Sequence, residues 1–266
     1  ARLAAAGRTA AEATLDEMFA KGHTLAPEAW TRLFTNLAQA RAVDLILRYW
    51  RQLRASSRNS SPDLQLRTAV LRALLTAGAL DPAKQLARET QRDAKEHGGE
   101  QPDAVFYLTL LRGLEAAGDA NAVFQHFHAM MAAGVKPLVE HLNIVARCGY
   151  QLSNFPAVRF VYGIANEQKM LGNEALMLNL IASFGAEKRA DLLAQVWRRM
   201  RRLGCLTEML LAAMVEALVR CGKPALAVEL VRLRLLSHKL PTSPWLMQVL
   251  LVSLRGAAGS NSELPP

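Results

Sequence analysis

The chain has 266 residues, 51% of them hydrophobic and 6% aromatic, and a formal net charge of +9 at pH 7. That apolar share suffices for a packed core, while the few aromatic residues and β-branched runs argue against sheets, and the basic excess points to an anionic partner. No apolar run approaches the roughly 18–20 residues that a membrane-spanning helix needs, so no membrane insertion is expected.

Residues 1–26 read as half a helical unit, with Leu15, Met18 and Phe19 at helical spacing before Lys21 and Gly22. The first whole unit, 27–63, carries Trp30, Leu33, Phe34 and Leu37 on one helix and Leu45, Ile46, Tyr49, Trp50 and Leu53 on the next, before a polar break at Ser56 to Ser61. In 64–103, Leu66, Val70, Leu71 and Leu74 lead to Gly78, and Ala83 and Leu86 continue onto a second helix. Pro62 to Pro102 spans 40 residues, and the five beyond the usual period are assigned to a long turn around His97, Gly98 and Gly99. The clearest unit is 104–138: Tyr107, Leu110, Leu111 and Leu114 recur up to Gly118, then Val123, Phe127 and Met130 up to Gly134, with Pro137 closing it.

The signal then weakens. Unit 139–173 rests on Leu142, Ile144 and Val145 followed by Phe160, Val161 and Ile164, and unit 174–207 on Leu176, Leu180 and Ile181 followed by Leu193, Val196, Trp197 and Met200. In 208–242, Gly222, Ala227 and Leu230 repeat the spacing of Gly78, Ala83 and Leu86. A single terminal helix at 243–256 and a flexible tail at 257–266 complete the chain. One helix pair of this length cannot bury its apolar face alone, so the units must stack, giving an all-α fold: an α-solenoid of about 35-residue helix-turn-helix repeats, elongated and single-domain. The opening at Ala1, inside what reads as a second helix, leads us to expect sequence upstream: a cleaved targeting presequence or further repeats.

A catalytic centre would need a concentrated constellation, and none is legible. Cys148, Cys205 and Cys221 form no Cys-x-x-Cys pair, His126 and His128 point to different helix faces, and no glycine-rich phosphate loop occurs. We therefore expect no enzyme activity, metal, cofactor or small-molecule substrate. The cysteines are read as reduced, buried small apolar residues.

The chain resembles the pentatricopeptide repeat family, most closely where Pro102, Asp103, Tyr107, Leu110, Gly113, Gly118, Phe127, Met130, Gly134 and Pro137 stand. The resemblance implies a right-handed α-solenoid that binds single-stranded RNA on its concave face, generally inside mitochondria or plastids. In that family a base is read by a side chain early on the first helix together with the last residue of the unit. The matching pairs here are Thr31 with Asp63 and Thr68 with Asp103, which look like guanine readers, and Asn143 with Asn173, which looks like a pyrimidine reader. Such short polar side chains suit the edge of an unstacked base, but each is equally suited to capping a helix. The other units depart from the pattern: Leu108 with Leu138, and Leu178, Ala212 and Met247, cannot read a base edge. Among the residues that would sandwich bases, Val105 suits the role and Gln65 and Glu140 do not.

Spacing alone singles out two basic features. Arg72, Arg112 and Arg147 lie four residues after Thr68, Leu108 and Asn143, on one helix face, where they either follow a phosphate backbone or are simply solvated. Arg198, Arg199, Arg201 and Arg202 crowd a second helix on which Trp197 and Met200 face the core. They are expected to radiate outward as a docking patch for folded RNA or an acidic protein, with a solubility role as the alternative. A looser basic edge comprises Arg41, Arg48, Arg51, Arg54 and Arg58.

Three functions follow as expectations. The first is a non-catalytic organellar RNA-binding adaptor in the mitochondrial matrix, or alternatively in a plastid. Its partners would be ribosomal or other organellar RNA and the proteins of a larger ribonucleoprotein, such as the mitochondrial ribosome or its assembly machinery. The second is a protein-only scaffold whose inner face takes a partner helix or peptide. The third is a site-specific RNA processing, editing or translation factor dependent on the three polar pairs.

Overall fold

A computed structural model describes residues 25–56, 63–96 and 99–236, with a few isolated positions outside these ranges. The expected half repeat, terminal helix and tail fall almost wholly outside them. The described residues form twelve α-helices and no strand: α1 (Pro27–Gln39), α2 (Val43–Ser56), α3 (Leu64–Thr76), α4 (Leu80–Glu96), α5 (Ala104–Ala116), α6 (Ala120–Ala132), α7 (Val139–Gln151), α8 (Phe155–Glu167), α9 (Glu174–Ala186), α10 (Ala190–Leu203), α11 (Glu208–Arg220) and α12 (Pro224–Leu236). Odd-numbered helices are the first and even-numbered helices the second of each pair.

Helix starts are fixed chemically. Asp63 Oδ1 accepts from the Gln65 N–H, Asp103 Oδ1 from Phe106, Asn173 Oδ1 from Leu176 and Thr207 Oγ1 from Leu210, so four of the first helices open on a capping side chain. Leu138 has no such group. There the cap runs in reverse, with the Leu138 N–H donating to Nδ1 of the fully buried His141 at 3.0 Å.

The turn inside each pair is the same in all six. The N–H groups of Ala42, Ala79, Asp119, Asn154, Arg189 and Lys223 reach back five residues to the carbonyls of Leu37, Leu74, Leu114, Gly149, Phe184 and Leu218, at 2.8–2.9 Å. This closure needs the preceding residue in the left-handed region. Gly78, Gly118 and Gly222 supply it with φ of 83°, 77° and 68°, but Arg41, Ser153 and Lys188 adopt it at 52°, 54° and 59°.

The extra residues of 64–103 do not lie only in a turn. Helix α4 has 17 residues where α6 has 13, so about one further turn of helix absorbs most of them. Gln91 to Glu96 contains no breaker, and the added turn is held: Ala94 is buried, and Asp93 Oδ2 meets Arg67 Nη2 of α3 at 2.9 Å.

The chain forms two compact units, Ala1–Gly113 and Leu114–Pro266. In the first unit α1 packs on α3, and each first helix packs on its own second helix. Its core holds Trp30 stacked on Phe34 with ring centroids 5.5 Å apart, and Ile46, Tyr49, Val70, Leu71, Leu74 and Tyr107. In the second unit α7, α9 and α11 pack in series, and their second helices cover one side. The α9–α11 approach is close because Gly185 faces Ala217: a Cβ added at Gly185 would lie 2.7 Å from the Ala217 Cβ and 2.8 Å from its Cα. First helices therefore form one continuous layer within each unit, and second helices the other.

Candidate nucleic-acid interface

The base-reading positions prove structurally engaged. Thr31, exposed on α1, donates to the Pro27 carbonyl at 3.0 Å; Thr68 is only 8% exposed and donates to the Leu64 carbonyl at 2.7 Å. Their expected partners Asp63 and Asp103 are exposed N-caps, each with one carboxylate oxygen on a backbone N–H. Asn143 is half-buried, and its Oδ1 accepts from Asn179 Nδ2 of α9 at 2.9 Å; Asn173 caps α9. Asn179, which the sequence did not bring forward, lies 36 residues after Asn143. A search for polar residues about one repeat apart on neighbouring first helices is the signal that would have found it.

The apolar members of this row divide as well. Ala212 is 3% exposed and belongs to the core, so it offers nothing to a partner, whereas Leu108 and Leu178 are half-buried. Leu138 and Val105 are exposed, as is Met209, which takes the place of Val105 at the start of α11.

The three spaced arginines are all exposed on their first helices. Arg72 and Arg112, in the first unit, make no ion pair among the described residues. Arg147, in the second unit, is gripped by Glu115: Nε to Oε1 at 2.5 Å and Nη2 to Oε2 at 2.7 Å. This fork, aided by the Glu115 charge, raises the guanidinium pKa further above its already high ordinary value. Arg147 thus meets a phosphate only by sharing or surrendering Glu115.

The arginine-rich helix α10 is arranged differently from the sequence expectation. Its four arginines do not simply radiate: Arg198, Arg199 and Arg202 share one side with Gln195 and line a cleft of about 340 Å³ against Tyr162 and Asn166 of α8. The spacing 195, 198, 199, 202 is that of one helix face, as is 162, 166. Arg201 is exposed and outside the cleft. Arg199 is half-buried, and its Nε is buried without a hydrogen-bond partner among the described residues. The Tyr162 ring stands edge-on to Phe184, and burial pushes its phenol pKa up against the opposing pull of Arg199 and Arg198, keeping it a hydrogen-bond donor at neutral pH.

A comparable cleft of about 290 Å³ lies between α2 and α4 in the first unit. Its lining is largely apolar, with Leu47, Trp50, Leu74, Pro82 and Leu86; of its two arginines, Arg54 pairs with Glu89 at 2.6 Å, and Arg51 is exposed. Among the described residues no group of three or more His, Cys, Asp or Glu is placed to hold a metal ion. No helix among them is long and apolar enough to cross a membrane.

No family model matches the sequence, and no curated protein matches it either. Solved structures do. The crystal structure of the pentatricopeptide repeat protein PPR10 from maize matches over 97% of this chain and 37% of its own, with a TM-score of 0.70 and 18% identity. PPR10 in complex with an 18-nt psaJ RNA element matches over 96% of this chain and 36% of its own, with a TM-score of 0.55 and 17% identity. A form of PPR10 with three cysteines replaced by serine, bound to the same element, gives the same values. This chain thus spans little more than a third of the length of these structures. Helix pairs joined by one recurring turn, first helices layered on first helices, and this likeness agree: the chain has the all-α helical-repeat fold of pentatricopeptide repeat proteins.

Proposed function

We propose that this chain is a non-catalytic RNA-binding adaptor of an organellar ribonucleoprotein, acting in the mitochondrial matrix on ribosomal or other organellar RNA. The observation that carries the reading is the recurrence of an exposed arginine at one position of three consecutive first helices, α3, α5 and α7, in the fold of a protein crystallised with RNA. Guanidinium groups at such a place follow phosphates, which supply affinity without sequence information. The adaptor role is preferred to a site-specific factor because two of the three polar pairs have a member already engaged: Thr68 is below the surface and back-bonded, and Asn143 is held by Asn179, which leaves only Thr31 with Asp63 exposed. Placement in an organelle, the mitochondrion or alternatively a plastid, rests on the family resemblance, and the link to the ribosome or its assembly rests on the apolar residues at the other base-reading positions, such as Leu108, Leu138, Leu178 and Ala212.

The test is binding of the purified chain to short single-stranded RNAs across a salt series, beside an Arg72→Ala/Arg112→Ala/Arg147→Ala variant. The wild-type chain is expected to bind with steep salt dependence, and the variant to lose about 0.7 of log–log slope per arginine. Binding indifferent to these arginines would overturn the first-helix reading. A protein-docking scaffold is the second reading, favoured by Val105 and Met209, 52% and 55% exposed at the starts of α5 and α11. RNA binding absent altogether would leave that reading standing.

A further inference from the structure

The lining of the α8/α10 cleft is cationic and contains no carboxylate. It is lined by Arg198, Arg199 and Arg202 together with Tyr162, Asn166 and Gln195, and Arg198 Nε donates to the Ala194 carbonyl at 3.2 Å, which leaves its two terminal nitrogens for a ligand. Its counterpart between α2 and α4 has two arginines, Arg51 and Arg54, and one carboxylate, Glu89, which pairs with Arg54. Arg198 and Arg202 are exposed and stand four residues apart on α10, a like-charge spacing that a counter-ion relieves, and the half-buried Arg199 buries an Nε donor that no described residue accepts.

From this we infer that the α8/α10 cleft is an anion site for the phosphate backbone of base-paired RNA, separate from the first-helix arginines. The proposal rests on the RNA-binding reading and adds a second binding surface, on the second-helix layer. Phosphate fits better than carboxylate on two grounds. Three guanidiniums within about 340 Å³ ask for more than one negative charge, which adjacent phosphodiesters provide and one carboxylate does not. The forked donors of arginine also match phosphate oxygens bidentately, and the Tyr and amide donors supply the remaining hydrogen bonds. Base-paired RNA is the source, because double-stranded RNA is recognised by backbone and shape, and a lining dominated by arginine suits its phosphate oxygens. Tyr162, the cleft's one aromatic residue, is only half-buried against Phe184 and makes no stacking platform for successive unpaired bases.

The test uses the full chain, a labelled RNA hairpin with a duplex stem, a single strand of the same composition and a polyglutamate peptide. Arg198→Gln/Arg199→Gln/Arg202→Gln is compared with Arg201→Gln, which removes charge from the same helix outside the cleft. Arg198→Gln/Arg202→Gln serves if replacing half-buried Arg199 impairs folding. The cleft variants are expected to weaken hairpin binding about tenfold or more, and to lower its salt slope by about 0.9 for each phosphate no longer neutralised. Arg201→Gln should have a much smaller effect, and single-strand binding should change little. A loss on Arg201→Gln equal, per charge removed, to that of the cleft variants would mean diffuse attraction and overturn the site. So would hairpin binding unchanged in both cleft variants, or cleft-dependent binding of polyglutamate but not of hairpin. Failure of wild-type to bind either RNA would instead refute the RNA-binding reading itself.

Discussion

The six intra-pair turns make a quantitative prediction. Every one closes through a residue in the left-handed region, yet only three of the six use glycine. Lys188, at φ 59°, and Ser153, at φ 54°, each carry a Cβ into a conformation that costs an L-residue about 1–2 kcal/mol. Replacing either with glycine removes that strain but adds about 0.5–1 kcal/mol of unfolded-chain entropy. The net expectation is about 0.5–1 kcal/mol of added stability per site. Gly118→Ala should act in reverse: a Cβ there meets nothing within 4 Å, so its cost of about 1 kcal/mol is conformational rather than steric. Because repeat proteins gain stability locally, the readout should be local as well as global. Urea unfolding followed by circular dichroism gives the total, and hydrogen exchange of the Arg189 N–H, bonded to Phe184 at 2.9 Å, reports on the Lys188 turn. Slower exchange in Lys188→Gly and faster unfolding in Gly118→Ala are expected. If Lys188→Gly and Ser153→Gly both destabilise, the left-handed residues are not strained.

Further predictions test the packing and the charges. Gly185→Val should destabilise by about 1–3 kcal/mol, since the new side chain meets Ala217 backbone that cannot move aside, and Ala217→Gly should recover part of the loss in thermal melts. Asp93→Ala should cost more than Asp93→Leu combined with Arg67→Met, because only the single change leaves the 5% exposed guanidinium without this carboxylate; a double variant no more stable than the single would refute it. Glu115→Gln should release Arg147 and tighten single-stranded RNA binding about two- to fivefold, a change worth about 0.5–1 kcal/mol; weaker binding would remove Arg147 from the interface. Burial holds the Cys148 thiol up at about 11, above its ordinary 9.0, so the folded state favours the neutral thiol. Its contribution is complete below pH 9.0 and is lost as pH rises towards about 11, and alkylation at pH 8 should reach Cys205 well before Cys148.

The helical-repeat fold was legible because its signals are local. Glycine at 78, 118, 134, 204 and 222 marks helix ends, and Leu66, Val70 and Leu74 or Val123, Phe127 and Met130 mark faces. Legibility weakened in 139–173 and 174–207, where Ser153, Lys169 and Lys188 occupy positions that other repeats give to glycine: the backbone conformation persists without the residue that announces it. The sequence placed all five extra residues in a turn near His97, of which His97 and Gly98 lie outside the described residues, and it missed the further turn of α4 for a related reason. Glycine and proline there mark an end but not how far the helix runs before it, which Ala94 burial and the Arg67–Asp93 pair decide. The candidate site was legible only as residue types. Which polar groups are already spent depends on partners about one repeat away, such as Asn143 with Asn179 and Arg147 with Glu115, and no single helix contains that information.

Those distant pairings also locate the surplus charge that composition only counts. A net charge of +9 says that cations exceed acids, and says nothing about where. The acids are deployed selectively: Glu89 takes Arg54, Asp93 takes Arg67, Glu115 takes Arg147, Glu187 takes Arg159, Asp191 takes Arg189 and Glu216 takes Arg220. The N-terminal basic edge is thereby partly compensated from within. Arg72 and Arg112 on the first helices, and the four arginines of α10, have no such carboxylate among the described residues. On α10 the omission coincides with a cleft and a buried, unaccepted donor, so the missing counter-charge there is local and geometrically defined rather than a diffuse excess. An anion arriving at that cleft displaces no internal ion pair, whereas one arriving at Arg147 must compete with Glu115. The second-helix site should therefore hold its ligand at salt concentrations where Arg147 has already released its phosphate.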